Sequence, residues 1–361
     1  MSNTIGENLK LTLFGESHGD YIGATLDGIT PGLKIDYDYI KDIMAKRKPK
    51  SYETGRIEED KVEFISGIFN GYTTGEPLTV IIKNENTKSN DYELLKDNPR
   101  PSHADYTKYV FSDGYNDYRG GGHASARLTA PIVALGGVLL KALEDKGIYI
   151  ASYIKSIGDI DGGCLPLNPE VSDIQKLNQM DFPVIGDSSR MEKLIEKVKS
   201  EGDSVGGTIE TVVLGLKAGL GSPYFSSVES KISEAMFSIP GVKGIEFGLG
   251  FNFAKSYGSK ANDGFYMLND EVKTKTNNNG GINGGLTNSM PLVFRLALRP
   301  TASIFKPLET INLKEKKDTV ITLSGRHDPC IVRRASVIVR SLTAFVIADM
   351  LLKEEGRRAL K

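Results

Sequence analysis

The chain has 361 residues, 39% of them hydrophobic and 25% charged, with a formal net charge of −1. That is apolar material for one large domain or two moderate ones, and a near-neutral chain has no overall field with which to gather nucleic acid or an anionic membrane. No apolar run approaches the roughly 18 residues of a membrane span, and the opening MSNTIGENLK is not a signal peptide. Cys164 and Cys330 form no C-x-x-C pair, so free thiols in a reducing, cytoplasmic setting are expected.

In chain order, Leu9 to Phe14 reads as a strand, the polar turn Gly15-Glu16-Ser17-His18-Gly19 follows, and Tyr21 to Asp27 returns as its hairpin partner. Asp36 is placed to cap a helix with Tyr39, Ile40, Ile43 and Met44 on its apolar face. That helix runs into Lys46, Arg47, Lys48 and Lys50, with Arg56 beyond, where cations suit a helix C-terminus. Strands follow at Val62–Ser66 and Leu78–Lys83. Gly120 to Gly122 then lead into a long apolar helix from about Ala124 to Asp145, kinked or started late at Pro131.

Asp187 to Ser200 and Ser226 to Phe237 read as helices. Ile245, Phe247, Leu249 and Phe251 alternate with polar or small residues as in a half-buried strand. Asn277 to Gly285 read as a long loop. Pro291 to Arg299 reads as a strand with Leu292, Phe294, Leu296 and Leu298 on one face and Arg295 and Arg299 on the other. Ile331, Ala335, Ile338, Leu342 and Phe345 mark a final core helix. Strands come singly and in pairs without regular strand–helix alternation, so the expected fold class is antiparallel α+β. No linker divides the chain, and residues 1–361 are expected to form a single domain.

The four histidines, His18, His103, His123 and His327, all stand in turns rich in glycine, proline or arginine, where functional side chains concentrate. Their separations are long and no H-E-x-x-H occurs, so no metal site is expected. Ser17 beside His18 lacks the G-x-S-x-G elbow of a nucleophile. Anion binding fits better. Backbone N–H groups at Gly120–Gly122, the Ser125 hydroxyl and the Arg127 guanidinium can converge on a phosphate or carboxylate, although a loop capped by Ser125 would use the same residues. Arg326-His327-Asp328 places three ionisable side chains at one strand end, where they can tune one another or form a turn ion pair.

Seven collinear motifs carry a resemblance. They are F-G-E-S-H-G (14–19), S-G-I-F-N-G-Y-T-T-G-E-P (66–77), R-P-S-H-A-D-Y (100–106), D-Y-R-G-G-G-H-A-S-A-R (117–127), G-G-I-N-G-G (280–285), R-P-T-A-S-I (299–304) and G-R-H-D-P-C (325–330). In this order the chain resembles the chorismate synthase family over essentially its whole length. The resemblance implies helices sandwiched between antiparallel sheets, a homotetramer, and an anti-1,4-elimination that converts 5-enolpyruvylshikimate-3-phosphate to chorismate. Reduced FMN is required without net redox change. It would come from an external flavin reductase or another NADPH-dependent source, since no stretch is left over to supply one.

The resemblance further implies that His18 sits by the leaving phosphate, His103 by the N1–C2 carbonyl edge of the flavin and Asp328 beside flavin N5. Arg47, Ser125, Arg127 and Arg326 would hold the substrate. His123, Ala124, Ser125, Gly241, Gly284, Arg299, Pro300, Thr301, Ala302, Ser303 and Arg326 would line the FMN site. Several positions depart from the family pattern. Ser102 stands where glycine is usual, His123 and Ala124 replace an arginine and a serine, Arg299 replaces lysine, and Ala302 lacks a hydroxyl. Two other readings compete: a flavin oxidoreductase, for which no G-x-G-x-x-G follows a strand, and a non-catalytic flavin- or phosphate-binding protein.

Overall fold

The computed structural model describes residues 3–54, 59–85, 89–325 and 327–359. The first sheet contains β1 (Thr4–Ile5), β2 (Lys10–Gly15), β3 (Tyr21–Asp27), β4 (Val62–Ser66) and β5 (Leu78–Lys83), in the order β1-β2-β3-β5-β4. Every pairing is antiparallel. The expected β2–β3 hairpin is present, with Phe14 opposite Gly23 and Gly15 opposite Ile22. Helix α1 (Tyr37–Ala45) begins where Asp36 Oδ1 accepts from Tyr39 N–H at 3.0 Å, and it buries Ile40, Ile43 and Met44.

The second sheet contains β6 (Tyr149–Ile157), β7 (Ile160–Asp161), β8 (Gly207–Leu214), β9 (Val242–Phe247) and β10 (Leu292–Leu298), in the order β9-β10-β8-β6-β7. Between the sheets lie α2 (Thr129–Asp145), α3 (Val228–Met236) and α4 (Val332–Arg358). Helix α2 packs on β3 and β5, α4 packs on β6 and β8, and the two helices pack on each other. One continuous apolar core runs from Leu9 to Met350 through both sheets and the helices between them. The α+β sandwich expected from the sequence is the observed architecture.

Two elements depart from expectation. The long helix starts at Thr129, not Ala124, so Pro131 falls in its first turn, where no intrahelical N–H bond is lost. The strand beginning at Val242 ends at Phe247, because Gly248 and Gly250 take φ of 54° and 55° and turn the chain out. Phe251 is consequently 80% exposed rather than on a buried face. Segments 126–145 and 332–358 are both long and apolar enough to cross a membrane, which corrects the reading that no run approaches that length. In each, 83% of the most apolar window is buried inside the fold, as befits core helices.

The contact between α2 and α4 is unusually close. A Cβ added at Gly136 would lie 2.4 Å from Ser341 Cβ, so only glycine permits this approach. At the start of α4, Arg333 is 2% exposed and pairs with the fully buried Glu53, its Nε donating to Oε1 at 2.7 Å. The same guanidinium donates to the carbonyl oxygens of Lys46, Lys48 and Asp181, and Lys50 N–H donates to Glu53 Oε2. This buried pair therefore fixes the basic loop that carries Arg47.

Gly136→Ala should destabilise the chain by about 1–3 kcal/mol by wedging the helices apart. Gly356→Ala, whose added methyl meets nothing within 4 Å, should be neutral or gain up to about 1 kcal/mol. Equal denaturant midpoints for the two variants would contradict the close crossing. Glu53→Ala leaves a buried guanidinium without its carboxylate and should cost about 3–5 kcal/mol in the same unfolding measurement.

Candidate active site

The basic loop leaves α1 in a tight turn, with Arg47 N–H donating to Met44 O at 3.1 Å, and this carries Arg47 inward. On the opposite wall Ser125 caps the 3₁₀ turn Ala126–Leu128, its Oγ accepting from Arg127 N–H at 3.3 Å. Arg47 Nη2 donates to Thr129 Oγ1 at 3.2 Å, while Arg127 Nε donates to Asn84 Oδ1 at 3.1 Å. Arg47, Ser125, Arg127 and Thr129, with Asp328 and Arg334, line a cavity of about 200 Å³ whose apolar wall includes Ile239, Pro240 and Ile331. The first turns of α2 and α4 both face it, through Thr129 and through Arg334 and Ala335. The positive dipole ends of two long helices add to the guanidinium charge there, so the cavity is built for anions.

Asp328 is held on the far side of this cavity. Its Oδ2 accepts from Arg334 Nη1 at 2.8 Å, its Oδ1 from Cys330 N–H at 3.3 Å, and its carbonyl from Thr301 Oγ1 at 2.7 Å. Burial pushes its carboxyl above the ordinary value of 3.8, with Glu53 adding to the rise and Arg334 and Cys330 N–H opposing it. Arg334 Nε also donates to Arg47 O at 2.8 Å, tying the basic loop to Asp328.

His18 and His103 do not line the 200 Å³ cavity, but both pack on the glycine turn that leads into it. A Cβ at Gly120 would meet His18 Cε1 at 2.3 Å, and one at Gly121 would meet His103 Cε1 at 3.3 Å and Ser125 Cβ at 3.9 Å. Both glycines have left-handed φ, 61° and 90°. The turn is thus bare of side chains because two imidazoles occupy that space. Gly120–Gly122 do not run straight into α2, and Gly122 O accepts from both Ser17 N–H and Ser125 N–H. His18 is nearly buried, with Ser17 Oγ 3.3 Å from its Nδ1 and Tyr92 edge-on at 5.0 Å.

His103 Nδ1 lies 2.6 Å from Asp105 Oδ1 and 3.1 Å from Arg100 Nη2. The shorter, charge-assisted contact assigns the Nδ1 proton to Asp105, which leaves Nε2 towards the Gly121 turn. Burial lowers the His103 pKa from 6.5, and Arg100 and Arg299 lower it further, against the hydrogen bond to Asp105. Burial works against ionisation of Asp105 as well, but hydrogen bonds from Arg100 and His103 outweigh it and hold that carboxyl well below the usual range. Ser102, just before His103, has a left-handed φ of 57°.

The residues read as flavin-binding divide into groups. Arg299 N–H donates to Gly241 O at 2.9 Å, Ser303 Oγ accepts from Arg100 Nη1 at 3.1 Å, and Thr301 O accepts from Ser204 Oγ, so Gly241 and Arg299–Ser303 adjoin both His103 and Asp328. Pro300 O accepts from Arg299 Nη1, and Ala302 is half-buried within this segment. His123 faces elsewhere. Its Nδ1 bonds Gly15 O at 2.7 Å, its Nε2 lies 3.2 Å from Asn3 Oδ1, and it lines a separate cavity of about 580 Å³. Ala124 closes the glycine turn before Ser125. Gly284 sits in a small hairpin (Ile282–Asn283, Leu286–Thr287) with nothing within 4 Å of an added Cβ, and the adjoining Gly285 packs on Ser227. Arg56 and Arg326 lie outside the described residues.

Two contributors, Arg334 and Asp60, escaped the sequence reading. Arg334 was hidden in a periodic apolar helix, where an adjacent arginine pair at the helix start was the available signal. Asp60 bonds both Arg47 and Arg127. Arg100 and Asp105, five apart around His103, form the bidentate pair that holds the imidazole. Among the described residues no group of three or more His, Cys, Asp or Glu is placed to hold a metal ion.

A sequence profile of the family described as chorismate synthase matches residues 9–352. The chain is 44% identical over 355 residues to a chorismate synthase of Thermococcus gammatolerans, covering 97% of this chain and 98% of that one. It is also 44% identical over 351 residues to that of Pyrococcus abyssi, covering 96% and 97%. A solved structure described as "Crystal Structure of Chorismate Synthase" superposes with a TM-score of 0.77 at 29% identity, covering 98% of this chain and 94% of that one. With two sheets enclosing paired helices and a cationic cavity at the helix N-termini, the chain belongs to the chorismate synthase family.

Proposed function

We infer that the chain is a lyase that converts 5-enolpyruvylshikimate-3-phosphate to chorismate by anti-1,4-elimination, losing phosphate from C3 and hydrogen from C6, with reduced FMN required and no net redox change. The observation that carries this reading is the convergence of Arg47, Arg127, Arg334 and Asp328 on one cavity at the N-termini of two helices. A substrate with two carboxylates and a phosphate needs that density of guanidinium groups to leave water. By resemblance Arg326 joins them.

Half-buried Arg299 supports a flavin beside this cavity. Burial lowers its pKa, and it has no carboxylate partner among the described residues, so an anionic group would fit against it. Gly241 and Pro300 to Ser303 would form the remaining wall, with Ser125 at the junction between flavin and substrate. When bound, reduced FMN supplies electron density to the substrate as phosphate departs and assists loss of the C6 hydrogen.

The side chains do the rest. Arg47 and Arg127 orient the anionic groups and stabilise charge on the departing phosphate. His18, poised by Ser17, donates a proton to that phosphate. His103 keeps Nδ1–H on Asp105 and offers Nε2. An anion arriving beside it opposes the lowering by burial, Arg100 and Arg299, so the ring takes up a proton as the anion binds. Ionised Asp328 accepts the single proton released when the C6 hydrogen is lost. We further read residues 1–361 as a single cytoplasmic domain, supported by the continuous main core from Leu9 to Met350, acting as a homotetramer with reduced FMN from an external, NADPH-dependent reductase.

Anaerobic incubation with reduced FMN and 5-enolpyruvylshikimate-3-phosphate should release phosphate and chorismate in equal amounts. Stoichiometric flavin oxidation would instead favour an oxidoreductase. His103→Ala should lower kcat by about 10²-fold or more with the fold retained by circular dichroism. Asp328 must be ionised to act and its pKa is raised, so activity should fall on the acid side through a limb above the ordinary carboxylate value of 3.8. Arg334→Ala removes a cause that lowers that pKa and should move the limb to higher pH. A limb that stays put would remove Asp328 from this role.

A further inference from the structure

The cationic cavity contains its own anion. Asp60 precedes β4 with φ of 51°, a left-handed conformation that aspartate adopts more readily than most residues. Its carboxylate spans two guanidinium groups, Oδ2 accepting from Arg47 Nη1 at 2.6 Å and Oδ1 accepting from Arg127 Nη1. The side chains of Arg47 and Arg127 are each 6% exposed and that of Asp60 is 10% exposed, so this triad is screened little by solvent.

The two arginines have anchors that do not involve Asp60. Arg47 Nη2 is held by Thr129 Oγ1 at the start of α2. Arg127 is held by Asn84 Oδ1 and by Lys83 O, at 3.1 and 3.2 Å, where β5 ends. Thr129 and Lys83 sit on regular elements and Asn84 directly follows one, so these anchors keep both guanidinium groups aimed at the same point whether or not a carboxylate stands there. One oxygen on each of two guanidinium groups is also how a phosphate or carboxylate of a ligand would be received.

We propose that Asp60 is an internal counter-anion for the substrate site: it bridges Arg47 and Arg127 and offsets one of their two charges until an anionic group of the substrate displaces it and takes the same two guanidinium groups. The proposal rests on the reading that these arginines bind substrate. It gives the site a filter, because a tethered carboxylate competes at high effective concentration. A weakly held monoanion loses that competition, whereas a ligand carrying a phosphate and two carboxylates wins it through contacts elsewhere in the cavity. It also lowers the repulsion between two buried cations that face each other.

Asp60→Asn keeps the size and one acceptor oxygen while removing the charge. Its melting temperature without added anion should fall below that of the wild type, and inorganic phosphate should restore it. The dissociation constant for inorganic phosphate and KM for 5-enolpyruvylshikimate-3-phosphate should both drop by about five- to tenfold. If Asp60 only orients the arginines, the variant will bind phosphate more weakly and KM will rise, which overturns the proposal; unchanged values overturn it equally. Arg47→Ala and Arg127→Ala separate this from the underlying reading: phosphate affinity and KM unaltered in both would remove the arginines from substrate binding. Should Asp60→Asn fail to fold, a structure of the wild type with substrate decides. The Asp60 carboxylate out of hydrogen-bond reach of both guanidinium groups supports displacement, and a carboxylate still spanning them overturns it.

Discussion

The contact on which this molecule turns is the near-touching crossing of α2 and α4 at Gly136 and Ser341. Each helix covers one sheet, so their mutual approach sets the thickness of the sandwich and seals the core between the sheets. Both helices begin at the same cavity. Their N-terminal turns therefore bring two positive dipole ends together, and each delivers a residue there from its own sequence, Thr129 and Arg334. The hydrophobic framework and the anion site are one construction.

Buried ion pairs then give the loops their positions. Arg333 and Glu53 pin the basic loop to the start of α4, through a carboxylate and three carbonyl oxygens. Arg100 and Asp105 do the same for His103, and Arg100 reaches on to Ser303 in the segment read as flavin-binding. Such pairs add little net stability compared with apolar packing, but removing one member leaves a stranded charge, so they enforce one geometry. In this chain that geometry spans residues nearly three hundred positions apart, from Glu53 to Arg333.

Much of the fold was legible because its elements are amphipathic at their own period. Asp36 and the face Ile40, Ile43, Met44 identified α1, and Leu292, Phe294, Leu296 and Leu298 identified β10. The central strands β6 and β8 were not picked out. Buried on β6 and β8 are Tyr153, Ser152, Glu210 and Thr211, whose polar groups find partners across the sheet, as Ser152 Oγ and Thr211 Oγ1 do at 2.8 Å. A run of that composition carries no clean alternation of apolar and polar residues. The end of β9 was misplaced for the complementary reason: side-chain alternation continued past Phe247, while backbone conformation at Gly248 and Gly250 had already ended the strand.

By itself the sequence determined the fold class, the family resemblance and the turns that would carry chemistry, because local period, capping residues and motif order are written along the chain. Tertiary structure decided which of those turns meet. It gathered Arg47, Ser125, Arg127 and Asp328 at one cavity, set His18 and His103 against a shared glycine turn, and sent His123 to Gly15 and Asn3 instead. It also supplied partners no motif announced: Arg334 for Asp328, and Asp60 between two guanidinium groups. The reason is physical. The protonation and pairing of a charged group depend on burial and on neighbours within a few ångströms, and for these residues the neighbours come from distant parts of the chain.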